Sequence, residues 1–438
     1  MSNKPASYYP LVFVLGYLAF CLLVSLAGPI EYDGYDKIST SAFMMAVSTI
    51  FTVGYFIGIG AKVRVSSKHS DRQLSTVIST LFRVSFTLAL LSIVVIFLKS
   101  LASGSLSFNI AQSGEAYLQS YAGYERNTGT YSLDFLLTSF FAFPTYAATI
   151  WGIFFFRDLS RKRKMLLVFM IVATILVFTV SGGKQKQFGD YLIYFLTLYF
   201  IKTVLSGRFS PKAVIVSIVV VLTGVIAFLT ILSFRYTAAG VSLTNLNSVI
   251  HPMMYFDVDH LSVRLLGENV GFALGMFSGY LGQGFYGLSL SLEQTFTWTA
   301  FGGSSYSWSV ILNRFLGFPF MVEQSYPYIV GNTTGWGQTK WHSVYAWLAS
   351  DFTFTGTVFL NGVIGYIFAQ LWKEILLFKN PFSILFFCLL CVGAFYAPAN
   401  NQLMHSPSGL FTLILTVFFY YKYRASYNFQ SLTPKSLA

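Results

Sequence analysis

Ten long apolar stretches punctuate this chain, at 10–28, 40–60, 77–98, 134–156, 165–181, 191–205, 213–233, 353–372, 381–398 and 407–421. A run of roughly 17–25 apolar residues is what an α-helix needs to cross the hydrocarbon core of a bilayer. Inside lipid every backbone N–H and C=O must be bonded within the protein, so continuous apolar runs of this kind read as helices. The chain is therefore expected to be an all-α polytopic membrane protein with about ten transmembrane helices. Composition agrees: 55% of residues are hydrophobic and only 10% charged, against about 25% charged in a typical soluble domain.

The few charges are unevenly placed. Starting with the N-terminus inside, the segments 1–9, 61–76, 157–164, 206–212, 373–380 and the C-terminal tail, with Lys202 at its helix end, hold 18 Lys/Arg and 3 Asp/Glu. The other side holds 9 Lys/Arg and 13 Asp/Glu, while Arg83 lies near the inner end of its span, where it can snorkel. Basic residues retained on the cytoplasmic side set orientation, so both termini are expected in the cytoplasm. The net charge of +12 then belongs to inner loops and calls for no nucleic acid. The first run lacks a small-x-small cleavage site and reads as the first span rather than a leader. Cys21, Cys388 and Cys391 all fall inside apolar runs, which suits packing better than a zinc site or a disulfide framework.

Residues 1–438 read as one integral membrane domain with two long outer segments, 99–133 and 234–352. The second contains 271–292, apolar but Gly-rich. If that piece spans, the count rises to eleven or twelve and the charge pattern downstream is upset. A surface or re-entrant helix pair broken at Gly282-Gln-Gly284 keeps the pattern and is the expectation, so the outer loop should contain short helices. No internal repeat of the kind found in inverted-repeat transporters is visible.

Ionisable groups beside spans are the informative residues, because they are costly there and usually functional. Ser181-Gly-Gly-Lys184-Gln-Lys186 could form an anion site from a tight turn, exposed N–H groups and two ammonium groups. It could equally be a solubilising loop tip. Arg235, where the seventh run ends, could clamp a phosphate bidentately or simply anchor at headgroups. Downstream lie Asp259, His260 and Arg264, the last two sharing a face if helical. An Asp-x-Asp pattern at 257–259 suits ordinary helix charges better than a metal, and neither metal nor cofactor is expected. Lys340, Trp341 and His342 precede Asp351. His342 and Asp351 could supply or orient a general base, or be hydrogen-bonded interfacial residues. Trp298, Trp308, Trp336, Trp341 and Trp347 crowd the same segment. Interfacial belts collect Trp, but such crowding beside charges also suits a groove that stacks on sugar rings.

The layout resembles the oligosaccharide repeat-unit polymerases, or O-antigen polymerases, of bacterial inner membranes. The matching features are one dominant outer loop late in the chain, the Gly-Gly-Lys turn, the Arg235-Tyr236 exit and the Trp/Tyr-rich stretch ending in Asp351-Phe-Thr-Phe-Thr-Gly356. The resemblance implies a membrane glycosyltransferase of GT-C-like architecture, with its active site on the periplasmic side. Its donor would be a glycan on undecaprenyl diphosphate and its acceptor another lipid-linked repeat unit. It would be independent of nucleotide sugar and metal. Arg235, Arg264, His342 and Asp351 are then the catalytic candidates. Lys184, Lys186, Asp259, His260, Arg314, Trp336, Lys340 and Trp341 are the substrate-binding ones. Membrane lipid is an implied partner, and a chain-length regulator protein a candidate one. Two alternatives stay open: an O-antigen ligase acting on lipid A–core, and a flippase or transporter of the lipid-linked unit. The latter would want charges at mid-membrane depth, and the spans are nearly free of them.

Overall fold

The computed structural model describes residues 4–63, 71–126, 139–207, 211–242, 245–336 and 340–423. Its principal helices are α1 (Tyr9–Ala27), α2 (Lys37–Gly60), α3 (Asp71–Ala102), α4 (Ser113–Arg126), α5 (Ala142–Phe154), α6 (Arg161–Thr174) and α7 (Lys186–Leu205). They continue with α8 (Pro211–Ala238), α9 (Glu268–Leu292), α10 (Tyr306–Leu316), α11 (Val344–Phe378), α12 (Pro381–Tyr396) and α13 (Pro407–Tyr423). Strand β1 (Ile30–Tyr32) pairs antiparallel with β2 (Met254–Phe256), Ile30 opposite Phe256.

Every one of the ten apolar runs contains a helix. Among the described residues, seven helices are long and apolar enough to cross a membrane: Ala6–Ala27, Lys37–Gly60, Thr76–Ala102, Arg161–Val180, Lys186–Leu205, Val214–Ala238 and Val344–Phe378. The other three expected spans are the shorter helices α5, α12 and α13. The first part of the 134–156 run lies outside the described residues. The protein is thus an all-α, multi-pass membrane protein with seven candidate spans.

The expected break at Gly282-Gln-Gly284 does not occur: α9 is one continuous helix of 25 residues. Glycine weakens an isolated helix by about 1 kcal/mol per residue because it frees the backbone, which is why the segment reads as broken. Here the missing side chains admit neighbours. A Cβ at Gly282 would meet Ser25 of α1 at 3.1 Å, one at Gly279 would meet Ile30, and one at Gly284 would collide with Pro398 and Ala399. Small residues that let backbones approach closely are the means by which helices associate in membranes.

The chain divides into two compact units. The first comprises Met1–Val63, Leu243–Glu374 and Leu389–Leu413. Its core joins Leu18 and Cys21 of α1, Met44 and Val47 of α2, Leu281, Phe285 and Leu288 of α9, and Tyr345 and Ala397. Lys373 Nζ donates to the carbonyl oxygens of Ile59 (2.7 Å) and Ala61 (2.6 Å), capping the end of α2, and Trp372 Nε1 reaches Ala6 O at 2.9 Å. A cation at a helix C-terminus meets unpaired carbonyls and the negative end of the dipole.

The second unit comprises Arg64–Ser242, Ile375–Cys388 and Ile414–Ala438. Trp151 of α5 is buried, donates to Pro381 O at 2.8 Å and meets the Phe382 ring edge to face. Near the start of α6, Lys164 donates to Arg157 O, and at the end of α7 Lys202 donates to Ile153 O at 3.1 Å. These basic residues mark one end of this unit. The Gly-Gly-Lys turn, at the far ends of α6 and α7, marks the other.

Candidate functional site

In the second unit, three stretches far apart in sequence meet at the end away from Lys164 and Lys202. After α6 the chain continues as a π-helix, Ile175–Val180, and Ser181 N–H bonds to Leu176 O, five residues back, at 2.9 Å. Gly183 then takes φ +62, and Lys184 N–H returns to Phe178 O at 2.9 Å. That is a Schellman-type C-cap, which favours a residue without a Cβ at the left-handed position. Space demands it too: a Cβ on Gly183 would lie 2.6 Å from Tyr117 Cβ and would collide with Ser113 O. Because the Lys184 N–H is used inside the cap, it cannot join an exposed anion-binding nest.

Tyr117 of α4 is therefore pressed against the turn, and its ring also carries Arg235. The Arg235 guanidinium carbon sits 3.5 Å from the Tyr117 ring centroid. A cation over an aromatic face is attracted by the ring quadrupole, and a flat guanidinium can stack there while keeping its edge free to donate. Arg235 Nε is buried and has no hydrogen-bond partner among the described residues. Helix α4 lies close on α8, since a Cβ at Gly114 would lie 2.7 Å from Ala238 Cβ. Ser107 and Ser181 tie the preceding loop to the same turn, with Ser107 N–H donating to Ser181 Oγ at 2.9 Å.

Lys184 and Lys186 differ. Lys184 is exposed at the turn. Lys186, at the start of α7, is paired with Asp190 one turn on, Nζ to Oδ2 2.8 Å. Asp190 is buried, and its Oδ1 has no partner among the described residues. The pair leaves Lys186 with little net charge for an anion, while Lys184 and Arg235 keep theirs. Tyr117 and Asp190, which organise this end, were not among the sequence candidates. Each is a single tyrosine or carboxylate with no local motif around it, and only the tertiary fold reveals its neighbours.

The remaining candidates lie in the first unit. Asp351 is buried near the top of α11, and its carboxylate accepts from Thr299 Oγ1, Gly303 N–H (3.2 Å), Ser304 N–H (2.7 Å) and Ser304 Oγ. Four donors fill the acceptor positions of a carboxylate, so Asp351 pins the loop 299–305. Around it gather three non-glycine residues with positive φ: Ala300 (52°), Phe301 (62°) and Thr353 (62°). Thr353 kinks α11, and its hydroxyl accepts from Gly356 N–H at 3.1 Å, restarting the helix where the apolar run begins. Asn401 Nδ2 donates to Ser304 O at 2.6 Å, and His405 stacks on Tyr306 with its ring centroid 5.1 Å away. Burial pushes the His405 imidazole down to about 4, so it is neutral at pH 7. It too was absent from the sequence candidates.

His342 is buried beside Gly287 of α9, and Trp341 meets Tyr280 edge to face. Lys340 lies in the same loop, and partial burial lowers its ammonium pKa. Trp336 is fully buried among Tyr32, Tyr286 and His251; no face of its ring is open to a sugar. His260 caps the short helix Leu261–Leu266, and its Nε2 lies 3.1 Å from Ala27 O. Asp259, Arg264 and Arg314 are exposed. The structure thus gathers Lys184, Lys186 and Arg235 in the second unit, and places the other nine in the first unit without assembling them into one cluster.

Comparison with family models, with curated proteins and with solved structures finds no match to this chain.

Proposed function

We propose that this protein is a bacterial inner-membrane glycosyltransferase that polymerises glycan repeat units carried on undecaprenyl diphosphate. In this reading it has ten spans, cytoplasmic termini, a GT-C-like plan and a periplasmic active site. One observation carries the reading: Arg235 sits over the face of Tyr117, which packs against the Gly183-Lys184 turn, and its buried Nε–H has no hydrogen-bond partner among the described residues. Two cations held at one end of a membrane helix bundle suit a ligand that is anionic at its head and apolar in its tail. A lipid-linked diphosphate is such a ligand.

In the reaction the acceptor hydroxyl oxygen bonds to the anomeric carbon of the donor glycan. The bond from that carbon to the phosphate oxygen breaks, and its electron pair leaves with the lipid diphosphate. The acceptor proton passes to a base or to water. Charge grows on the departing diphosphate, so preorganised cations in a water-poor setting lower the barrier. Arg235 would meet two phosphate oxygens with its fork, and Lys184 would add a point charge. Growth would proceed by transferring the polymer to each incoming unit and releasing the carrier lipid.

The purified protein, incubated with a lipid-linked repeat unit, should yield a ladder of lengthening glycans. A single product formed only when lipid A–core is supplied would identify a ligase instead. Movement of the unit across vesicles with no bond formed would identify a transporter.

A further inference from the structure

Residues 296–318 of the first unit are polarised the wrong way round for a segment that faces water. In α10, Ser307 and Ser309 are buried, and Ser305 precedes them as the buried cap. Ser305 Oγ donates to Met404 O at 2.7 Å and Ser307 Oγ to His405 O at 2.6 Å. The apolar residues point outward, with Phe315 75% exposed and Trp308, Leu316 and Phe318 exposed beside it. The loop before the helix repeats the pattern, with Trp298 52% and Phe301 61% exposed. Leaving large apolar side chains in water forgoes the stabilisation that burying them would give. The left-handed backbone at Ala300 and Phe301 is unfavourable for residues with a side chain. Asp351 nevertheless holds the loop in the shape that turns Phe301 outward.

What covers this face is indicated by what it joins. The Phe301 ring is 5.8 Å from Phe352. Across the Thr353 kink, Phe352 leads to an exposed stripe, Thr355, Phe359 and Val363, that runs at helical spacing along the candidate span Val344–Phe378. An exposed apolar stripe on a span faces lipid, and the aromatic loop continues it. Arg314 is exposed on the same helix as Phe315, which suits anionic headgroups.

We propose that residues 296–318 form an interfacial element, seated at the boundary between acyl chains and headgroups, whose partner is the phospholipid bilayer itself. An outward apolar face with an inward hydrogen-bonded face is the arrangement an amphipathic helix adopts when lipid replaces water around it.

The test uses the full-length protein in phosphatidylcholine and phosphatidylglycerol vesicles whose acyl chains carry bromine near either the headgroup or the terminal methyl. Emission is compared among the native protein, Trp298→Phe and Trp308→Phe, so that each difference isolates one indole. Both indoles should lose emission to bromine near the headgroup, lose less to bromine near the methyl, and resist aqueous iodide. Quenching by iodide but not by bromolipid would overturn the proposal, leaving a water-facing platform such as a glycan would use. Resistance to both quenchers would overturn it equally, since another protein surface would then cover the patch. Phenylalanine keeps an aromatic ring at two exposed positions, so the variants report on surroundings rather than on folding.

Discussion

Two charges drawn out of water, Asp351 fully and Arg235 in part, one in each unit, illustrate opposite uses of the same expense. Asp351 is met by four donors, two hydroxyls and two backbone N–H groups, and every acceptor position is filled. Arg235 is met by an aromatic face, and its buried Nε–H has no hydrogen-bond partner among the described residues. A charge out of water needs compensation, and breaking such compensation is costly. Where the protein supplies all of it, the group is structural. Where it supplies only part, the remainder is left for something else to provide. Sequence position alone ranks the two equally, since both are single charges at the edge of an apolar run.

The largest expected effect attacks the Arg235 side of this contrast. Arg235→Lys keeps the charge but loses the planar fork and the stack on Tyr117. It should slow polymer formation by roughly 100- to 1000-fold, or about 3–4 kcal/mol, at unchanged membrane abundance. Full ladder formation by the Lys variant would falsify a phosphate-clamping role and return Arg235 to headgroup anchoring.

Next in size is Asp351→Asn. An amide offers one acceptor oxygen in place of two, so about two donors lose their partner, at about 2–3 kcal/mol in total. Thermal unfolding of the purified protein should report that loss while turnover per folded molecule is retained. The contrast breaks if turnover collapses while the unfolding midpoint stays put, because Asp351 would then belong to the chemistry.

Gly183→Ala should cost about 1–2 kcal/mol for the left-handed backbone alone, with further strain from the Tyr117 contact. The turn and Tyr117 must separate, so ladder formation should fall more than stability does. A variant of native activity would mean that the turn does not position the cations.

A pH dependence is also expected in the Asp351 region. The folded His405 stays neutral down to about pH 4, whereas an unfolded histidine takes up its proton near pH 6.5. Below that value the unfolded state binds more protons, so stability is complete above about 6.5 and declines as pH falls toward 4. His405→Phe, which preserves the stack on Tyr306, should flatten that decline. An unchanged acid limb in unfolding curves would assign it to another group.

Much of the helical layout was legible because a spanning helix is written locally: each of the ten runs carries its own signal, and the structure places a helix in each. The Gly-rich segment misled because glycine signals a break when judged by propensity, whereas its packing role depends on Ser25, Ile30 and Pro398, which are remote in sequence. The site divides similarly. Arg235 and the Gly-Gly-Lys turn stood out as charges at span ends. Tyr117, which brings them together, did not, because an aromatic residue in an aromatic-rich chain carries no local mark. Asp351 was visible as a charge, but its partners at 299–304 lie some fifty residues earlier, so its saturation could not be read.

The π-helical turn at Ile175–Val180 carries a consequence of its own. A π segment holds one more residue than an α-helix would use over the same rise, and each residue of an α-helix turns the chain by about 100°. The direction in which Ser181, Gly183 and Lys184 leave the bundle is therefore fixed by a residue count. Removing one residue between 175 and 180 would let an ordinary α-helix cover the same rise and leave the turn against Tyr117, whereas adding one would swing the Lys184 side about a quarter of a circle away. Substitutions can weaken this corner by degrees, but an insertion re-aims it in a single step.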